Sequence, residues 1–251
     1  MQGLHGRVLD ALGPAIAGGE HPVGSVLRIE GLEERFACSR TVIREAVRVL
    51  ESMNLVSSRR RVGITVRPRE EWNLYDPLVI RWRLAGADRA HQLRSLSELR
   101  SAVEPVAAGY AARRATPEQC GELVGLAIKL ATTARARDLR TFLEHDIAFH
   151  RLVLQASGNE MFGRFHDVVG EVLTGRTEHH LMPPEPHPTA VRLHTDVAQA
   201  IQCGDAERAE AAMREIVVQA MGEMTPAFDT EEPASPDEAA RLPSDPLHRF
   251  A

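Results

Sequence analysis

The stretch CSRTVIREAVRVL, residues 38–50, sets Arg40, Arg44 and Arg48 four residues apart, with Val42, Ile43, Ala46, Val47, Val49 and Leu50 between them. On a helix, a spacing of four stacks side chains along one face. One face therefore carries a row of guanidinium groups, and the opposite face is apolar. Ser39 stands where it can N-cap this helix, which should end near Met53 and Asn54.

The flanking sequence builds a small module around that helix. Upstream, Val8, Leu9, Leu12 and Ile16 recur at helical spacing until Gly18 and Gly19 break the pattern, and HPVGS comes next as a turn. A second short helix is expected over about residues 30–36. Downstream, LVSSRRRVGITVRP alternates, with Val62, Ile64 and Val66 on one side and Gly63 at a tight bend. This predicts a two-stranded hairpin. Three helices and a hairpin make a winged helix-turn-helix over residues 1–68.

In that fold the arginine row has a use. A recognition helix lies in the major groove and offers its first residues to base edges. Arginine grips guanine O6 and N7 in a bidentate fork, and it also grips phosphate. Arg59, Arg60 and Arg61 at the hairpin can reach the DNA backbone or the minor groove. Three arginines alone are equally a solvated face on a structural helix. The capped turn, the short preceding helix and the basic hairpin together favour DNA.

Charge supports the same division. The chain of 251 residues has a net charge of −5, yet residues 1–68 hold ten Arg against seven Asp and Glu. A basic head on an acidic body points to a polyanion partner for the head alone. At 43% apolar and 26% charged residues the composition is that of an ordinary soluble protein. No apolar run approaches a membrane span, and no secretion signal is evident at the start. Cys38, Cys120 and Cys203 lie far apart and form no CxxC pair. Reduced thiols and a cytoplasmic location are expected.

REEWNLYDPLVIRWRL lies in an expected linker, residues 69–89, with Trp72 and Trp82 expected to anchor it to the second domain. From residue 90 to 225 the pattern is helical almost throughout. Leu93, Leu96, Leu99, Val103 and Val106 recur at three and four, Thr116 caps a helix with Pro117 in its first turn, and Asp205 caps the last helix. Six or seven helices and no strand are expected, an all-α bundle. The fold class is thus mainly α. Residues 226–251 hold five prolines, six acids and few core residues, and are expected to be a disordered tail.

Within the bundle, Asp146 and His150 are i and i+4 and point one way, which makes half a metal site. His194 comes from a later helix. Spacing alone leaves a satisfied core or a surface position open for each. Arg100 has Glu104 one turn on, so it is either half of a salt bridge or a fork for a ligand carboxylate. Asn159, in ASGN, either offers a hydrogen bond to a ligand or caps a helix.

SRTVIREAVRVLESMNLVSSRRRVGITV resembles the recognition helix and wing of the GntR family of bacterial regulators. The resemblance implies that Arg40, Thr41 and Arg44 contact DNA, with Gly63 at the wing tip; Ser39, Arg48, Arg60 and Arg61 complete the expected DNA-contacting surface. One departure stands out: family members often carry an arginine where this chain has Glu30. SELRSAVEPVAAGYAARRA, DIAFHRLVLQASGN and HTDVAQAIQCGDAERAEAAM are similar to the FCD ligand-binding domain of the FadR branch, from about residue 92 to 222. That resemblance implies a divalent metal on Asp146, His150 and His194, Zn first and Mn or Ni next, with Arg100 and Asn159 towards an effector. The fourth ligand position of such domains falls on Ile216, which cannot ligate. Either three protein ligands remain, with positions left for water or an effector carboxylate, or no metal is bound.

The linker motif is similar to that of FadR-type repressors responding to sugar acids, galactonate among them. A one-component regulator is therefore expected, a homodimer on double-stranded operator DNA, and by default a repressor released by a small carboxylate. A metal-dependent enzyme with a DNA-binding appendage is the competing reading, although no nucleophile–base motif stands out. A purely structural DNA-binding protein would leave the helical body unexplained.

Overall fold

The computed structural model describes residues 3–181 and 186–230. The arginine-bearing helix is α3 (Arg40–Ser52), and it buries Ile43, Ala46, Val47 and Leu50 along a single stripe. That stripe packs on Val8, Leu12 and Ile16 of α1 (Leu4–Ala17) and on Leu32 of α2 (Ile29–Phe36). Each large aliphatic side chain so buried is worth about 1.5–3 kcal/mol, which holds the arginine face outward. Ala37, with φ 48°, turns the chain from α2 into α3. Ser39 occupies the N-cap position of α3, but its hydroxyl makes no capping bond.

The wing is a three-stranded antiparallel sheet rather than the expected two-stranded hairpin. β1 (Val26–Leu27) is the added strand, and the order is β1-β3-β2 with β2 (Val56–Arg59) and β3 (Gly63–Val66). Val26 pairs with Thr65, and Arg59 pairs with Gly63. Two residues are too few to show alternation, which is why β1 escaped the pattern. Ile64 and Val66 are buried as expected, whereas Val62 sits in the β2–β3 turn and is half exposed.

The expected linker is folded. After a short 3-10 turn (Arg69–Glu71), α4 (Pro77–Leu84) starts with Pro77 and is capped by Asp76, which accepts from Leu78 N at 2.9 Å. Trp72 and Trp82 belong to the core of the N-terminal module, which corrects their expected attachment to the second domain. The indole of Trp72 donates to Arg67 O at 3.0 Å. Gly13 of α1 leaves room for the Trp82 ring, where any Cβ would collide. Other side chains of α4 point the opposite way. Ile80 and Leu84 cluster with Leu93, Leu96, Val168, Val172 and Met224. A Cβ at Gly175 would come within 2.7 Å of Leu84 Cδ1.

The bundle has seven helices among the described residues: α5 (Arg89–Arg114), α6 (Pro117–Ala136), α7 (Leu139–Ala156), α8 (Glu160–Arg164), α9 (His166–Glu178), α10 (Pro188–Gln202) and α11 (Ala206–Thr230). Thr116 and Gln119 form a reciprocal capping box on α6. Asp205 accepts from Arg208 N at 3.1 Å. Ala108, Leu123, Leu130, Phe149, Val153, Val197 and Met213 meet in the bundle core. Helix α11 runs past the boundary expected at 225, to Thr230. The rest of the expected tail, 231–251, lies outside the described residues.

Candidate DNA-contact face and metal-ligand cavity

On the N-terminal module, one groove gathers Arg28, Arg40, Arg44, Arg59, Arg60 and Arg61 with Ser58 and Gly63. Helix α3 supplies one wall and the β2–β3 wing the other. Arg61 and Gly63 both adopt positive φ, 68° and 120°. A Cβ at 63 would lie 2.7 Å from Val26 Cγ1, so glycine is required for β1 and β3 to approach. Ser39 and Thr41 are exposed at the start of α3. Arg40 pairs with Glu30 at 3.3 Å, and Arg48 with Glu45 at 2.5 Å. Arg48 is exposed beside the groove but is not part of its lining. Arg28 was missed in the sequence because it stands alone, outside any arginine spacing.

In the bundle, α7 and α10 bring Asp146, His150 and His194 together. One donor atom from each lies within 4.8 Å of the others, and all three residues are buried. Asp146 Oδ1 is 3.0 Å from His194 Nε2 and 3.5 Å from His150 Nε2. The opposite ring nitrogens are held from behind. His194 Nδ1 donates to Ala190 O at 2.7 Å, and His150 Nδ1 bonds the carboxylate of Glu104. Both Nε2 atoms therefore face Asp146, with tautomers set by a carbonyl and a carboxylate, the arrangement that orients imidazole ligands.

Glu104 also takes the guanidinium of Arg100, which is the salt bridge expected one turn on. Arg100 is 1% exposed and lines a cavity with Asp146, His150 and His194, and its Nη2 has no partner among the described residues. Burial pushes the Glu104 carboxyl up, but Arg100 and His150 outweigh it and bring it to about 2. Burial pushes His150 down, and Glu104 with Asp146 outweigh that, raising it to about 9. Asp146 is held well below the usual carboxylate range by its two histidine bonds, against burial. The two buried acids thus favour the protonated form of His150.

The cavity, about 40 Å³ in volume, is lined by residues of α5, α7, α9, α10 and α11. Ile216 is in its wall and brings no donor. Arg176 of α9 is also there, 4% exposed, with Nη2 on Glu223 at 2.9 Å. Burial and the charge of Arg100 lower its pKa. No periodic signal marks Arg176, a single charged residue on an otherwise apolar stripe. Asn159 is not in the cavity lining. Its side chain caps α8, accepting from Met161 N at 2.9 Å and Phe162 N at 3.4 Å. No Ser, Thr, Cys, Lys or Tyr lines the cavity among the described residues.

A winged helix-turn-helix joined by a packed helix to a bundle with a charged internal cavity is the architecture of a DNA-binding transcriptional regulator with a small-molecule domain. Residues 4–66 match the bacterial regulatory proteins of the gntR family, and residues 95–219 match the FCD domain. The chain is 32% identical to the galactonate operon transcriptional repressor of Escherichia coli over 208 residues, covering 82% of this chain and 90% of that one. It is 28% identical to a probable D-xylose utilization operon transcriptional repressor of Paenarthrobacter nicotinovorans, over 82% of each chain. The solved structure of E. coli McbR/YncC shares the fold, with a TM-score of 0.53 at 20% identity over 91% of this chain and 100% of that one. The chain belongs to the GntR family, in the branch that carries an FCD domain.

Proposed function

We propose that this regulator is a repressor that binds a two-fold operator as a homodimer and lets it go when a small sugar acid enters the bundle cavity. The observation carrying this reading is the cavity itself. A buried Asp–His–His group and a buried guanidinium with an open donor share one space. The names of the E. coli and Paenarthrobacter relatives direct the choice of acid towards sugar metabolism, an aldonate such as galactonate first.

The donor set fits a divalent metal. One carboxylate oxygen and two imidazole Nε2 atoms suit Zn, and also Mn or Ni. Asp146, His150 and His194 would hold it. Ile216 supplies no fourth ligand, which leaves coordination open to a ligand oxygen. When bound, the metal would supply a Lewis-acidic anchor for the acid. Arg100 supplies the fork, pre-set by Glu104, that orients the carboxylate. Counting charge, Arg100 and Arg176 face Asp146, Glu104 and Glu223, so a divalent cation brings the neutral-imidazole site to one positive charge. A monocarboxylate neutralises it.

On the DNA side, Arg40 and Arg44 would read base edges, and the wing arginines would hold phosphate. Two copies of α3 would meet half-sites about one helical turn apart.

Elemental analysis of untagged protein, followed by calorimetric titration with aldonates before and after chelation, tests the site. Near-stoichiometric metal and acid binding that disappears on chelation and in Arg100→Ala are expected. Binding undiminished by both treatments contradicts the assignment.

A further inference from the structure

We infer that Arg176, Gln219 and Glu223 form a second subsite that reads a hydroxyl group on the tail of the acid; this rests on the reading of the cavity as the effector site. All three line the same cavity as Arg100 and the metal-ligand group. They come from different helices: Arg176 from α9, and Gln219 and Glu223 from α11.

Their hydrogen bonds are incomplete in a particular way. Arg176 Nη2 donates to Glu223 Oε2 at 2.9 Å, and Gln219 Nε2 donates to Glu223 Oε1 at 3.2 Å. Both oxygens of Glu223 are therefore engaged. Because a carboxylate only accepts, it also fixes which end of the Gln219 amide faces it. Two buried atoms are left without partners among the described residues: the Arg176 Nε donor and the Gln219 Oε1 acceptor.

A buried polar atom without a partner is destabilising, so a ligand that completes both atoms gains affinity. An alkyl tail completes neither. A second carboxylate could accept from Arg176 Nε but cannot donate to Gln219 Oε1, and Glu223 repels it. A hydroxyl both donates and accepts, and matches the pair. The subsite thus selects hydroxylated monocarboxylates over fatty acids and over dicarboxylates.

The test is calorimetric titration of metal-loaded wild-type protein, Gln219→Leu and Arg176→Lys with six-carbon aldonates, hexanoate, galactarate and glycolate. Melting curves confirm that each variant is folded. For wild type, an aldonate binds tighter than hexanoate or galactarate. Each substitution weakens that aldonate by about tenfold or more, the loss of one hydrogen bond to a charged or buried partner, while glycolate, which has no tail, changes little. Equal losses for aldonate and glycolate would make these residues structural and overturn the subsite. So would an unchanged aldonate affinity in both variants, or hexanoate or galactarate binding as well as the aldonates. Wild type that binds no acid would remove the sugar-acid reading as well as the subsite, whereas glycolate binding with no aldonate binding removes the subsite alone.

Discussion

Among the arginines of the recognition helix, Arg44 stands apart. Arg40 is paired with Glu30 and Arg48 with Glu45, whereas Arg44 lines the groove and makes no ion pair among the described residues. A free guanidinium on the groove wall is the residue best placed for a bidentate guanine contact, worth about 1–3 kcal/mol of discrimination. Arg44→Ala should therefore lose about 5- to 150-fold in affinity for the operator, and less for random duplex, in competition anisotropy. Equal losses on both DNAs would make Arg44 a phosphate contact only. At the cavity the decisive residue is His150. Its pKa of about 9 in the metal-free protein lies above the ordinary value of 6.5, so its favourable contribution to folding is full below about 6.5 and fades as pH rises through about 9. A metal must displace that proton. Apparent metal affinity should climb about tenfold per pH unit towards pH 9 and then level off, measured by competition with a chromophoric chelator. A flat profile between about pH 7 and 8 would mean that His150 is already neutral there or is not a ligand. The Asp-x3-His spacing was legible in the sequence because i,i+4 geometry forces both side chains onto one face. Glu104 was legible only as the partner of Arg100. Its second bond, to His150 across the gap between α5 and α7, depends on tertiary packing.

At the level of elements, the helices with strong periodicity were the legible ones. Helix α3 buries its i, i+3, i+4, i+7 stripe, and the Thr116 capping box marks the start of α6 in the sequence itself. Helix α4 was harder to place. Its apolar residues point to two different neighbours, Trp82 into the N-terminal core and Ile80 with Leu84 into the bundle, so no single face is apolar. The sockets that receive them, Gly13 and Gly175, are distant in sequence and carry no signal of their own. Asn159 illustrates the converse. A family motif points it to the ligand, whereas the fold uses it as the cap of α8. Asn159→Ala should cost about 1 kcal/mol of stability, a fall of about 2–4 °C in melting temperature. Acid affinity, measured calorimetrically, should not move. A change in acid affinity without loss of stability would restore Asn159 to the effector site.

Across the whole molecule, α4 is the only described element packed into both cores, and Gly175, its socket in the bundle, adjoins Arg176 of the cavity. A ligand that repositions Arg176 has a short mechanical route through Leu84 and Trp82 to α1 and the DNA-binding face. That route matters only if the acid binds the DNA-free arrangement more tightly than the DNA-bound one. Coupling of this kind is typically about 1–3 kcal/mol. The most direct measurement is fluorescence anisotropy of labelled upstream DNA, titrated with metal-loaded protein in the presence and absence of saturating aldonate. The account predicts that one aldonate weakens site-specific binding by about 5- to 150-fold, and that Arg100→Ala binds the same DNA equally well but ignores the acid. Tight, site-specific binding that no acid disturbs would contradict it.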